Sequence, residues 1–190
     1  MRPAVKSLTL LASCAAFAVS IGMVAQSAAP AAADKYTVKV PGGLAFAEFK
    51  GFESWETISV SSNDKAIAVI LGNPAMIAAF KAGIPANGKP VPDGAKMAKI
   101  HWAPKKNPFF PTATVPGTQQ NVDLMVKDSK RFADSGGWGY AVFDYDAATD
   151  KFTPGTKAGT PPQGDDAKCG FACHTIVKSR DFVFTEYGHR

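Results

Sequence analysis

The feature that most limits how this chain can fold is a recurring alternation of polar and apolar side chains, broken by turns rich in proline and glycine. KYTVKV (35–40), ETISVSS (56–62) and KMAKIHW (96–102) all alternate, and each predicts a strand with one face buried and one face wet. AIAVIL (66–71) is continuously apolar, as expected of a strand covered on both faces. GYAVFDYDAATDKF (139–152) reads as two strands around a DAATD turn.

Helical signals are fewer. In GNPAMIAAFKAG (72–83), Asn73 can cap, Pro74 suits the first helical position and Gly83 closes the segment, which predicts one short helix. IPANGKPVPDG (84–94) is a turn-rich link. The proline-rich stretch from Ala103 to Gly117, around Phe109 and Phe110, predicts a loop. VDLMVKDSKRFADSGG (122–137) predicts a helix or an irregular turn, and TPGTKAGTPPQGDDAK (153–168) a second loop. The expected fold is a single α+β domain, mainly antiparallel sheet with a few short helices.

The chain starts with Arg2 and Lys6, continues with an apolar run and ends that run in QSAAPAAAD, the layout of a cleaved secretory signal. A membrane anchor is the rival reading, but Ser and Gly interrupt the apolar run. Residues 1–33 are therefore expected to be removed on export to the periplasm, leaving a domain over 34–190. That domain keeps 19 basic against 16 acidic side chains, a net charge of +3, too mild to argue for a nucleic-acid partner. It also keeps two cysteines, Cys169 and Cys173, which an oxidising compartment would not leave as free thiols.

Those cysteines lie in CGFACH, followed at once by His174. Two thiols and an adjacent histidine are the parts of a haem c attachment site, in which both thiols add to vinyl groups and the histidine binds iron. Three residues separate the cysteines here where two are usual, and Gly170 offers backbone freedom to absorb the extra one. A Cys169–Cys173 disulfide is the plain alternative. A zinc site is weaker, because no second Cys/His pair completes it.

The residues that follow, CHTIVKSRDFVFTEYGHR, resemble the C-terminal segment of the cytochrome P-460 family, where haem attachment leads into D-(W/F)-V-F-T-x-Y. ESWETISVSS, IAVILGNPAMIAAF, PDGAKMAKIHW and KDSKRFADSGGWGYAVF resemble further family segments in the same order. The resemblance implies a periplasmic mono-haem c protein, a homodimer, on a sheet-rich fold. It puts thioethers on Cys169 and Cys173, His174 on the iron as proximal ligand, and Lys99 as the lysine that the family's enzymes cross-link to the haem. Those enzymes oxidise hydroxylamine and pass electrons to an acceptor cytochrome. The related cytochromes c′-beta bind nitric oxide or carbon monoxide without the cross-link.

The chain departs from the enzymes at two places. Ala68 occupies the position of their distal arginine, and residues 153–164 hold no glutamate to serve as their distal carboxylate. Both departures favour gas binding, whereas Lys99 favours hydroxylamine oxidation. An apolar distal wall suits neutral diatomic ligands, and Phe109 and Phe110 are candidates for it, with core packing as the alternative. His101, His189, Met76, Met97 and Met125 are candidate sixth ligands of a six-coordinate electron carrier, each of them more ordinarily core or surface. Trp55 and Trp138 are expected in the core. Asp181 is expected in a helix after His174, paired with a base on the surface or holding the histidine's second nitrogen.

Overall fold

The computed structural model describes residues 34–40, 43–155 and 165–189, with backbone alone for 165–169. The expected signal peptide and most of the second proline–glycine loop lie outside the described residues. Among the described residues, no helix is long and apolar enough to cross a membrane.

Six antiparallel strands pair strictly in chain order: β1 (Glu56–Ser62), β2 (Ile67–Gly72), β3 (Lys96–Lys106), β4 (Thr114–Lys127), β5 (Trp138–Asp146) and β6 (Lys151–Pro154). Helix α1 (Pro74–Lys81) links β2 to β3, and α2 (Asp165–His174) follows β6. The expected α+β class with a mainly antiparallel sheet is the one found. Helix α1 begins as its sequence predicts, with Asn73 Oδ1 accepting the Met76 amide at 3.0 Å and Pro74 at the first helical position.

Period-two alternation sorts the strand residues onto two faces. Leu71, Ala98, Leu124 and Ala141 are direct cross-strand partners, as are Val69, Ile100, Val122 and Phe143. This face packs under Phe46, Phe49 and Phe52 from the N-terminal segment. Phe46 stacks on Phe143 with ring centroids 4.7 Å apart. On the opposite face Ser59, Ile70, Lys99, Asp123 and Val142 form one row across five strands. There Ile70, Met97, Met125 and Tyr140 join a second cluster with α1, Trp138 and Val183.

Four sequence expectations need correction. KYTVKV is not a strand: Lys35–Thr37 form a 3-10 turn, because the Asp34 side chain accepts the Tyr36 amide at 3.0 Å. The segment 103–117 is mostly strand, since β3 and β4 continue through it and pair Pro104 with Pro116, leaving only 107–113 as a loop. VDLMVK belongs to β4 and not to a helix, while DSKRFADSGG is the irregular turn. The α-helix at the C-terminus ends at His174 and does not follow it, and Thr175–Arg180 form 3-10 turns ending with Asp181 at φ 47°.

Candidate functional site

The sheet face that carries Ile70, Met97, Lys99, Asp123 and Met125 does not close against its neighbours. Between it and the C-terminal segment with His174, Val183, Phe184 and Glu186 lies a cavity of about 590 Å³. That volume is within the range of small-molecule and cofactor sites.

His174 ends α2 and is half-buried, with Tyr140 5.2 Å away and Phe184 5.0 Å away, centroid to centroid. Its Nδ1 lies 2.6 Å from the Phe182 carbonyl. A carbonyl only accepts, so Nδ1 carries the proton and Nε2 keeps a lone pair. Burial pushes the His174 pKa down, and the nearby Lys99 charge pushes the same way, against the Phe182 hydrogen bond and the Asp123 charge. The ring is therefore a neutral nitrogen donor at pH 7.

Lys99 lies in the middle of β3, half-buried, between Ile70 and Asp123 in the cross-strand row. Asp123, a carboxylate absent from the sequence-based site, lines the same cavity. It accepts from Asn121 Nδ2 at 2.9 Å and pairs with His101 Nε2 at 2.9 Å. The signal was available: Asp123 interrupts the apolar run VDLMV at the same parity as Met125, so both point to one face. Tyr140 also lines the cavity, and its phenol is held neutral by burial first and the Asp181 charge second.

Other expectations fall differently. Cys173 is an exposed free thiol one residue before His174, and the side chain of Cys169 lies outside the described residues. Gly170 is helical, without the unusual backbone expected of it. A Cβ there would sit 3.3 Å from Tyr140 Cδ1, so the small residue lets α2 lie close on β5. Phe109 and Phe110 are neither wall nor core: they are 95% and 63% exposed at the β3–β4 tip, where both strands run on past their other partners. Met97 and Met125 line the cavity, Met76 is buried in α1, His101 is bound to Asp123, and His189 is exposed.

Trp138 is fully buried, and its indole nitrogen donates to the Asp181 carbonyl at 2.9 Å, while Trp55 packs partly buried on the opposite cluster. Asp181 is no surface pair. Its carboxylate is 12% exposed and lies 2.7 Å from the buried Lys127 ammonium, while the Phe182 backbone holds the histidine. Among the described residues, no group of three His, Cys, Asp or Glu side chains could hold a metal ion.

The cavity combines apolar walls from Ile70, Met97, Met125 and Val183 with Lys99, Asp123 and one imidazole nitrogen donor, His174. A family model, Cytochrome P460, matches residues 49–185, and the chain belongs to that family. No curated protein matches the chain. The match covers all six strands, both helices and the turn at Asp181–Phe182. Membership implies a haem cofactor, and the residues present fit one: Nε2 of His174 is the available donor, and Ile70, Met97, Met125, Val183 and Phe184 supply apolar walls.

Proposed function

We propose that the chain is an exported, periplasmic cytochrome with one covalent haem c, and that it oxidises hydroxylamine. The observation that carries this reading is the convergence of Lys99, Asp123 and His174 on one cavity. In this reading Cys169 and Cys173 form the thioethers, Nε2 of His174 is the proximal ligand, and Lys99 cross-links to the ring. The bound haem supplies one-electron chemistry at its iron.

The chain's own residues supply the rest. Oxidation of hydroxylamine to nitric oxide releases protons and electrons in equal number. The electrons leave to an acceptor cytochrome, and the protons need a base at the cavity. Asp123, steadied by His101 and Asn121, takes that part, in place of the carboxylate missing from residues 153–164. The protein acts as a homodimer, as its resemblance to the family implies.

A second reading rests on Ala68 and the apolar lining. With no cation at that position and walls of Ile70, Met97 and Met125, the site suits capture of nitric oxide or carbon monoxide without turnover. Haem staining on a denaturing gel, followed by peptide mass mapping, separates the two. A haem peptide joining Lys99 to 169–174, with hydroxylamine-dependent reduction of an acceptor cytochrome, is the expected result. Haem on Cys169 and Cys173 alone, with tight gas binding, moves the assignment to gas capture. No covalent stain overturns both and leaves a haem-free domain with a Cys169–Cys173 disulfide.

A further inference from the structure

Asp181 at φ 47° and Phe182 at φ 63° are consecutive non-glycine residues in the left-handed region. Side chains rarely adopt that backbone, and two in a row persist only where the surroundings over-determine them. Here they do. The Asp181 carboxylate accepts from the Val91 amide at 2.7 Å and from Lys127 Nζ at 2.7 and 2.9 Å. Lys127, 6% exposed, also donates to the Gly136 carbonyl at 3.0 Å. The Asp181 carbonyl takes the Trp138 indole hydrogen bond. The Phe182 ring then lies over Gly136, where a Cβ would come within 2.2 Å of it. The product of all these contacts is a single carbonyl, that of Phe182, held 2.6 Å from His174 Nδ1.

We propose that the buried Lys127–Asp181 pair is a positioning device for His174, fixing the left-handed turn that aims the Phe182 carbonyl at Nδ1. The inference rests on the reading of His174 as the axial ligand. A carbonyl fixed on Nδ1 sets the tautomer and ring orientation and raises the donor strength of Nε2. A pair that merely tied the C-terminus down would lend stability without touching the imidazole.

Two readouts on the full-length protein separate these roles. Nitrogen-edited NMR follows exchange of the His174 Nδ1 proton, whatever occupies Nε2. Resonance Raman of the ferrous haem-loaded protein follows the iron–imidazole stretch. In Asp181→Asn and Lys127→Met the proton exchanges faster, the stretch falls in frequency, and exogenous imidazole displaces the native ligand roughly 10–100-fold more easily. Lys127→Arg, which keeps the charge, brings each readout most of the way back to that of the parent protein. Phe49→Leu, in the cluster on the opposite face, lowers the melting temperature and moves neither readout.

An unmoved proton and stretch in Asp181→Asn, or shifts matched by Phe49→Leu, overturn the proposal. If the charge variants do not accumulate, Trp138→Phe keeps an aromatic ring and removes the donor to the Asp181 carbonyl, along with part of a buried indole. It gives smaller shifts of the same sign, and no shift there is equally fatal. A stretch that survives His174→Ala defeats the axial-ligand reading alone, because the Nδ1 proton in the variants that keep His174 still reports the positioning.

Discussion

The two faces of the sheet are made from the same strands and end in opposite states. On one, Phe46, Phe49, Phe132 and Phe143 are fully buried and fill the space between the sheet and the N-terminal segment. On the other, Lys99 and Asp123 occupy the centre of the row, and the C-terminal segment arches over them without filling the gap. The strands fix which residues share a face. What covers each face decides whether it becomes a core or a site.

The comparison breaks most severely if the closed face is opened. Phe143→Ala is expected to cost about 3–5 kcal/mol, read as a shift of the urea midpoint. Lys127→Met, which strands the Asp181 carboxylate in the interior, follows at about 3–5 kcal/mol, measured in the same way. Met125→Ala on the cavity wall should cost only about 2 kcal/mol, the low end for such truncations, because its neighbours already border open space. A cost equal to that of Phe143→Ala would mean that the second face is packed as tightly as the first.

Tyr140 sharpens the contrast by pH. Its folded pKa is raised from 10.0 by burial and then by the Asp181 charge. The stability this gives is whole below pH 10.0 and is lost as the pH rises beyond it, since only the unfolded phenol ionises there readily. Urea midpoints of Tyr140→Phe should fall less steeply above pH 10.0 than those of the parent protein. The smallest effect belongs to neither face: Phe109→Ser at the exposed hairpin tip should stay within about 0.5 kcal/mol by thermal melting.

Local signals were the legible ones. Helix α1 could be read because its cap, proline and closing glycine lie within one short segment, β1 and the start of β3 from alternation, β2 from its apolar run, and β5 and β6 from the turn between them, none of which needs a distant partner. KYTVKV carries the same alternation, yet a side-chain cap two residues away turns the backbone instead. The extended β3–β4 hairpin hid behind its prolines, which it accommodates by placing Pro104 and Pro116 opposite each other at a register shift. CGFACH stood out as a motif and Lys99 only through the family resemblance, but Asp123, the Phe182 carbonyl and the Lys127–Asp181 pair did not stand out at all. Their roles arise only when the C-terminal segment returns to the sheet, with Asp181 meeting a residue 90 positions earlier.

That return also bears on the order in which the chain assembles. Every strand pairs with its neighbour in sequence, through short turns at β1–β2 and β5–β6 and a longer link, residues 73–95 with α1, between β2 and β3. The contacts from Asp181 to Val91 and Lys127 span 90 and 54 positions and join the C-terminal segment to that sheet. Pulse-labelled hydrogen exchange should therefore protect β3 and β4 amides before the Trp138 indole proton. Until the C-terminal segment docks, the sheet face with Lys99 and Asp123 lacks the residues that cover it in the folded protein, Val183 and Phe184 among them.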